Sequence, residues 1–275
     1  MTPENTGVKQ NGVSTLVQKI LRALNGGKTR TTPSTQLPGG VQPVRRPDQR
    51  FFDQRARDLQ ETEVVKRVLA KPRWRIWICP IDFMEARFRN LDHCTEFVSQ
   101  NEIRYASGDD YPYTKSIIQN VAGQSITCEF EVAPTRHIEC WALFRSGQFV
   151  HNLALPDIVA LGDNIHYLHI LQIVSQVFEF AASMAREGVL ATGASVSIEL
   201  LGAAGCGLVV PTDVNGRYWA QQKDIAVETF VQPDALPESG RDLALDVVLE
   251  IYQKFRWIDA SRPTLAKEQK RHLPT

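Results

Sequence analysis

Few residues in this sequence have the types and spacing that catalysis requires. Glu129 and Glu131 lie two apart in an alternating stretch, so both carboxylates would lie on one face of a β-strand. With His151 they form a candidate set for an enzyme that acts on nucleic acid or on a nucleotide. The E-x-K element of a metal-dependent nuclease does not follow, because residues 139–141 are Glu-Cys-Trp. A solvated strand face is therefore the favoured interpretation.

Three other motifs have structural interpretations that suit them better. The segment 202–207, GAAGCG, lacks the lysine and the following helix of a phosphate-binding loop, so it predicts a hairpin or a bulged turn. His93 and Cys94 are adjacent on a predicted helix and would point about 100° apart. His169 and Glu179 are ten residues apart, or about 15 Å along a helix, which is too far for one metal ion. The sequence predicts no catalytic residue, metal site or cofactor.

The elements that position these residues are organised around one helix, predicted from Ile165 to Glu187. Apolar residues recur on two sides of it, which is typical of a helix between a sheet and a second layer. Gly188 supplies the left-handed residue that commonly ends a helix. The polar residues argue against a membrane span, and they form one stripe: His169, Gln172, Gln176, Glu179, Ser183 and Arg186.

Alternating and β-branched segments predict the strands. Three of them are consecutive with short connections and are therefore expected to be antiparallel: 126–132, 137–144 and 148–155. The other predicted strands are 74–79, 195–201, 208–210 and 225–231. Further helices are predicted at 48–70, 86–100 and 241–255. This order predicts an α+β fold, with an antiparallel or mixed sheet packed against a central buried helix and a flexible N-terminal arm.

The N-terminal arm contains an amphipathic pattern at 13–24. Gly, Pro and Thr are frequent in the segment that follows, 26–47, as in a linker. We expect four regions: the arm 1–47, a charged helix 48–71, a globular domain 72–260 and a polar, frayed tail 261–275. An isolated helix of about 12 residues is marginal in water and needs a surface to pack on. Its predicted partner-binding residues are Leu16, Val17, Ile20, Leu21 and Leu24.

Three surfaces could receive the helix at 13–24: a protein partner, the same chain or a second copy of it, or a membrane surface. Residues 1–75 carry 15 basic against 6 acidic residues, and residues 76–275 carry 16 against 25. This asymmetry also allows contact between the arm and nucleic acid or another anionic partner, with Arg45 and Arg46 as candidates. The five cysteines show no zinc or disulfide spacing, which favours a cytoplasmic protein.

Three segments carry a resemblance to a known family: Phe83-Met-Glu-Ala-Arg-Phe-Arg-Asn-Leu-Asp-His-Cys-Thr-Glu-Phe-Val98, Phe144-Arg-Ser-Gly-Gln-Phe-Val-His151 and Val177-Phe-Glu-Phe-Ala-Ala182. They resemble the C-terminal region of bacterial proteins that begin with an AlbA-type (Schlafen-like) DNA-binding domain. The first 70 residues are too short and too linker-like to be that domain, so DNA binding does not transfer. The resemblance implies a module that works beside a DNA-associated or regulatory partner, in bacterial defence or transcription control.

Together, these observations predict a non-enzymatic binding or accessory module that acts through a partner docked by its N-terminal helix. Two alternatives stay open. One is the nucleic-acid- or nucleotide-processing enzyme with Glu129, Glu131 and His151, which a pocket joining these side chains would favour. The other is a homo-oligomeric structural component that assembles through residues 13–24.

Overall fold

The computed structural model describes residues 46–58, 62–104, 110–119, 124–132, 137–155, 164–210 and 217–273. The chain divides between Pro43 and Val44, and all of the described residues belong to the second unit, Val44–Thr275. The predicted helix at 13–24 and residues 26–45 of the linker, which include Arg45, lie outside the described residues.

Helices and strands occur in separate blocks along this second unit. Its helices are α1 (Gln49–Asp58), α2 (Glu63–Leu69), α3 (Leu91–Gln100), α4 (Tyr167–Arg186), α5 (Ala235–Lys254) and α6 (Arg262–His272). Its strands are β1 (Arg73–Pro80), β2 (Ile103–Arg104), β3 (Asp110–Tyr111), β4 (Ile117–Gln119), β5 (Ser125–Val132), β6 (His137–Phe144), β7 (Phe149–Ala154), β8 (Asn164–His166), β9 (Ala194–Leu201), β10 (Gly207–Val209), β11 (Arg217–Trp219) and β12 (Ile225–Val231).

The main sheet has seven strands in the order β12-β9-β1-β7-β6-β5-β4, and every neighbouring pair is antiparallel. A second sheet has the order β11-β10-β8, in which β8 and β10 are parallel. Strands β2 and β3 form a two-stranded ribbon. The predicted α+β class is confirmed, and so is the antiparallel arrangement of β5, β6 and β7.

Helix α4 covers one face of the main sheet, which we call the inner face. Side chains of β1 and β9 that point to this face, such as Ile76 and Ile198, share one core cluster with Phe178 of α4. Helix α5 packs against α4, where a Cβ on Gly240 would lie 3.6 Å from the carbonyl oxygen of Phe178, and it also contacts β12 of the main sheet. The prediction of a central buried helix packed against the sheet is thus confirmed.

Helix α4 is long and apolar enough to pass a simple test for a membrane span. The relevant window has a mean hydropathy of 1.3, and 72% of it is buried inside the protein. Because the core helix of a soluble protein passes the same test, this is weak evidence for a span. Among the described residues, α4 is the one helix that meets the criteria.

Helices α1 and α2 cover part of the other face, which we call the outer face. Phe51 of α1 packs with Trp77 of β1, while Val68 of α2 packs with Cys140 of β6. The buried Gln148 links α1 to the sheet, because its Oε1 accepts from Trp77 Nε1 at 2.8 Å and its Nε2 donates to the carbonyl of Phe51 at 3.2 Å. The first two helices therefore belong to the folded body.

Several predicted boundaries were wrong. The single helix expected at 48–70 is two helices, and the second begins at Thr62, whose side chain accepts from Val65 N. The helix expected at 86–100 starts only at Leu91, because Asn90 caps it and accepts from His93 N. The residues before that cap bind the β6–β7 turn instead.

The predicted frayed tail is also wrong, because α6 packs on α4 and α5. Leu265 is 1% exposed, and Gln269 Nε2 donates to Ser175 Oγ of α4 at 2.8 Å and to the carbonyl of Arg241 of α5 at 3.2 Å. Another polar residue of α4, Glu179, forms an ion pair with Arg241. Part of the polar side of α4 is therefore covered by other helices, with its polar groups satisfied.

The segment GAAGCG was predicted to be a hairpin or a bulged turn, and the hairpin is wrong. The strands that it joins do not pair with each other: β9 lies in the main sheet between β1 and β12, whereas β10 lies in the second sheet between β8 and β11. Gly202 and Gly205 have φ values of +73° and +80°, which let the chain turn from one sheet to the other. Neither a lysine nor a helix N-terminus follows this turn, as the sequence indicated.

Gly147, in the turn between β6 and β7, should tolerate substitution poorly. Its φ is +83°, and an added Cβ would lie 2.7 Å from Val189 Cγ1 and 2.8 Å from Arg87 Cδ. We expect Gly147→Ala to lower the free energy of unfolding by about 2–4 kcal/mol through backbone strain and overpacking. Chemical denaturation measures this. Gly188→Ala is the matched control, since φ is +73° there but space is open. An equal loss in both variants would contradict the steric argument.

Candidate functional site

His151 is the centre of a buried polar cluster on the inner face of the sheet. It lies on β7, is 0% exposed, and its Nε2 is 3.2 Å from Glu139 Oε2 on β6. Its Nδ1 is 3.4 Å from the hydroxyl of Tyr111 on β3. Glu139 and Tyr111 are each 5% exposed. Three ionisable side chains from three strands therefore form one chain of polar contacts inside the protein.

The register of the β6–β7 hairpin places two members of this cluster together. His151 lies directly opposite Trp141, and Glu139 is two residues from Trp141 on the same face. Tyr111 is brought over them by the segment 110–113. Trp141 Nε1 donates to the carbonyl of Tyr113 at 2.8 Å, and the Tyr113 ring lies 3.5 Å from that of Phe130.

The electrostatics of the cluster keep Tyr111 protonated. Burial raises the pKa of Tyr111 well above its ordinary value, and the nearby carboxylate of Glu139 raises it further. A protonated phenol can donate to Nδ1 of His151, which leaves the proton on Nε2 facing Glu139. The arrangement can thus hold a proton between a phenol and a carboxylate. Apolar rings surround it, with those of Phe149 and Phe180 4.9 Å apart.

The two acidic candidates lie on the opposite face of the sheet from His151. Glu129 Oε1 accepts from Thr62 Oγ1 at 2.7 Å, at the start of α2. Glu131 forms a two-pronged ion pair with Arg67 of α2, at 2.6 and 2.8 Å. These carboxylates fix α2 to the sheet. The structure therefore does not join Glu129, Glu131 and His151 in one site.

The other sequence candidates have structural surroundings. Cys94 is buried in the inner core, and burial raises its pKa to about 12. Arg46 is exposed at the start of the described body. The predicted docking residues lie outside the described residues: Leu16, Val17, Ile20, Leu21, Leu24 and, for anionic partners, Arg45. In the part of the chain that the structure describes, no group of three or more His, Cys, Asp or Glu side chains could hold a metal ion.

The sequence analysis missed the cluster of Glu139, His151 and Tyr111. The short connection predicted between the strands 137–144 and 148–155 held a signal for half of it, because the turn sets which residues of β6 and β7 lie opposite each other. Nothing in the local pattern placed Tyr111 beside them, since β3 pairs with β2 and not with the main sheet.

Comparisons with known proteins found no relatives. The chain matches no protein-family model, no curated protein and no solved structure. The resemblance to the C-terminal region of AlbA-type proteins therefore stays a prediction.

Proposed function

We propose that this protein is a non-enzymatic binding or accessory module, which acts through a protein partner docked by the amphipathic segment 13–24. The sequence pattern carries the first part of the argument. Apolar residues of this segment recur at the spacing of one helix face, and a helix of this length needs a surface to pack on. The resemblance implies that the partner is a DNA-associated or regulatory protein.

The core of the described body is the observation that supports this proposal best. Many large side chains near the centre of the main sheet lie in clusters with residues of the body's own helices. On the inner face Phe178 of α4 is 0% exposed, and on the outer face Phe51 of α1 and Val68 of α2 are each 0% exposed. These clusters are formed by residues of the body, and we propose that the apolar stripe of 13–24 serves another surface.

The placement of the ionisable candidates supports a binding function over the enzyme alternative. An enzyme that used Glu129, Glu131 and His151 would need one pocket to join them. The sheet lies between the two carboxylates and the imidazole, and all three side chains already have protein partners. We therefore propose no catalytic role for these residues.

Substitutions in the apolar stripe test this function. We expect Leu16→Asp/Ile20→Asp to abolish co-purification of the partner from a lysate of the native cells, because two charges would enter the docked interface. The matched control is Thr15→Asp/Gln18→Asp, which adds the same charge on the other side of the predicted helix. Quantitative mass spectrometry identifies the proteins that wild type and this control retain and that the stripe variant loses.

Light scattering on the same three proteins separates partner docking from self-assembly. Docking on a foreign partner requires the purified wild type and both variants to have the same molar mass. If the wild type is a dimer or larger and the stripe variant alone becomes a monomer, the helix serves self-association and the proposal is wrong. The proposal is also wrong if the stripe variant and the control variant retain identical proteins from the lysate.

A further inference from the structure

One edge of the main sheet is formed by a long strand with an open side. Strand β12 is the last strand at that edge, and it pairs with β9 over all seven of its residues, Ile225–Val231. Among the described residues, no backbone group of β12 bonds to any element other than β9. In an antiparallel pair, alternate residues direct their N–H and C=O groups to the neighbour, and the others direct theirs away from it. About half of the backbone groups of β12 are therefore available to a further strand.

The other edge strands in the described part of the chain are short. Strand β4, at the far edge of the main sheet, has three residues, and so have β8 and β11 at the two edges of the second sheet. The strands of the ribbon, β2 and β3, have two residues each. Short edge strands are one of the devices by which proteins prevent pairing with other chains. Strand β12 does not have this protection.

Strand β12 also lacks the other common protections. Its sequence, IAVETFV, contains neither proline nor lysine, and its register with β9 runs from end to end without a bulge. Most of its residues are β-branched or aromatic and favour an extended backbone. A long, regular and unprotected edge is the feature to which an extended peptide adds as a new strand.

The outer face of β12 carries the side chains that would contact an added strand. Ala226, Glu228 and Phe230 alternate along this face and are exposed, Phe230 to 37%. The residues between them point to the inner core, where Val227 is 3% exposed. The exposed row therefore consists of one acid with an apolar residue on each side.

Glu228 has one carboxylate oxygen in use. Its Oε1 accepts from Ser195 Oγ on β9 at 2.8 Å, which orients the carboxylate, and its Oε2 has no donor among the described residues. A strand added beside β12 places one residue directly opposite Glu228, and opposite charges at such a position stabilise the pair. A lysine or an arginine at this position of the added strand would complement Glu228, and an apolar residue two positions away would cover Phe230.

A second copy of this chain would complement the edge poorly. Two copies of β12 that pair antiparallel around a two-fold axis use all seven residues in one register only, which is centred on Glu228. That register places Glu228 opposite the same residue of the second copy, and like charges directly opposite each other are destabilising. Any other antiparallel register pairs fewer residues. The charge of the edge thus favours a different chain.

We propose that β12 is a docking edge for an extended segment of a partner protein, which adds to the sheet with a basic residue opposite Glu228 and an apolar residue opposite Phe230. Backbone hydrogen bonds to the open side of β12 supply the affinity, and Glu228 supplies the preference for a basic residue. This surface uses only residues of the body, so it is independent of docking by the segment 13–24.

Nuclear magnetic resonance titration of the isotope-labelled full-length protein tests the edge. The probe is the synthetic peptide Thr-Val-Thr-Lys-Thr-Val-Thr, blocked at both ends, whose lysine can lie opposite Glu228 with a valine opposite Phe230. We expect chemical-shift changes at the amides of β12 and a dissociation constant on the order of 1 mM. The matched peptide with glutamate in place of lysine should bind roughly fivefold more weakly, because it brings like charges together.

Exchange of the charge on the protein makes the test specific. Glu228→Lys should reverse the preference, so that the glutamate peptide binds roughly fivefold more tightly than the lysine peptide. Glu96→Lys is the matched control and should leave the preference unchanged. Glu96 is exposed on α3, which packs near β5, and four strands separate β5 from β12. If Glu228→Lys unfolds, Glu228→Gln replaces it, since its amide oxygen can still accept from Ser195, and it should bind both peptides equally.

Three results would overturn the proposal. The first is that neither peptide changes the chemical shifts of β12 in the wild type. The second is that the preference for the lysine peptide persists in Glu228→Lys or in Glu228→Gln. The third is that the shifts of β12 change with protein concentration in the absence of peptide, which would assign the edge to a second copy of this chain.

Discussion

The free energy of unfolding is expected to fall steeply as the pH rises above about 9, the ordinary pKa of a cysteine thiol. Burial raises the pKa of Cys94, Cys128 and Cys140 to about 12 in the folded protein, and it also raises the pKa of Cys79 and of Cys206. Between pH 9 and 12 the unfolded chain has therefore lost protons that the folded protein still binds. The stability that these thiols contribute is fully present below pH 9 and is lost as the pH rises toward 12.

The magnitude is large because the three thiols act together. Each one changes the free energy of unfolding by about 1.4 kcal/mol per pH unit in this range, so the three together change it by about 4 kcal/mol per unit. An ordinary domain has about 5–15 kcal/mol of stability and would unfold within roughly one to four pH units. Tyr111 adds to the loss at higher pH, because its pKa is raised by burial as well.

Urea denaturation under reducing conditions at several pH values from 7 to 11 measures this slope. Cys128→Ala should reduce it by about 1.4 kcal/mol per pH unit, since one of the buried thiols is then absent. Lysines and exposed tyrosines also titrate at high pH, but they contribute equally to wild type and variant. Identical slopes in the two proteins would mean that the buried thiols do not control alkaline unfolding.

Periodic apolar patterns explain why much of the fold could be predicted. Strands β5, β6 and β7 alternate and are joined by short connections, which determines an antiparallel meander from the sequence alone. Helix α4 is apolar on two sides, and so its burial in the core follows from its own residues. These elements are specified locally, since each one carries its pattern in one continuous segment.

Elements that dock through polar contacts could not be predicted in this way. Helix α6 has a mostly charged sequence, and its contact with α4 and α5 depends on Gln269, whose amide reaches Ser175 of α4. From the sequence alone, such a residue is expected to lie on the protein surface. The side chain of Gln269 is 3% exposed. This burial follows from the packing of α4, α5 and α6 and not from the local sequence.

The faces of the sheet explain why the candidate sites differ from expectation. The alternation at 225–231 predicts a strand but does not show that Glu228 and Phe230 lie on the outer face. Likewise, Glu129 and His151 belong to adjacent parts of one sheet, and their separation by that sheet depends on the registers of three strands. Register errors of one residue would reverse both conclusions.

The second large effect is expected at His151. His151→Leu should lower the free energy of unfolding by about 3–5 kcal/mol, because it removes the imidazole partner of a buried carboxylate, Glu139, and of the Tyr111 hydroxyl. The double variant His151→Leu/Glu139→Leu should be more stable than the single one by at least about 1 kcal/mol, since the buried carboxylate is then absent. Chemical denaturation at pH 7 compares the two.

A second histidine–glutamate pair supplies the control for this prediction. His272 Nε2 lies 3.5 Å from Glu268 Oε2 on α6, with the two side chains 26% and 21% exposed. His272→Leu should change the free energy of unfolding by less than about 1 kcal/mol, because water can replace the lost partner. Burial, rather than the pairing itself, makes the inner cluster sensitive. Similar losses for His151→Leu and His272→Leu would show that Glu139 is readily solvated, and the buried cluster would then open far more easily than its exposure indicates.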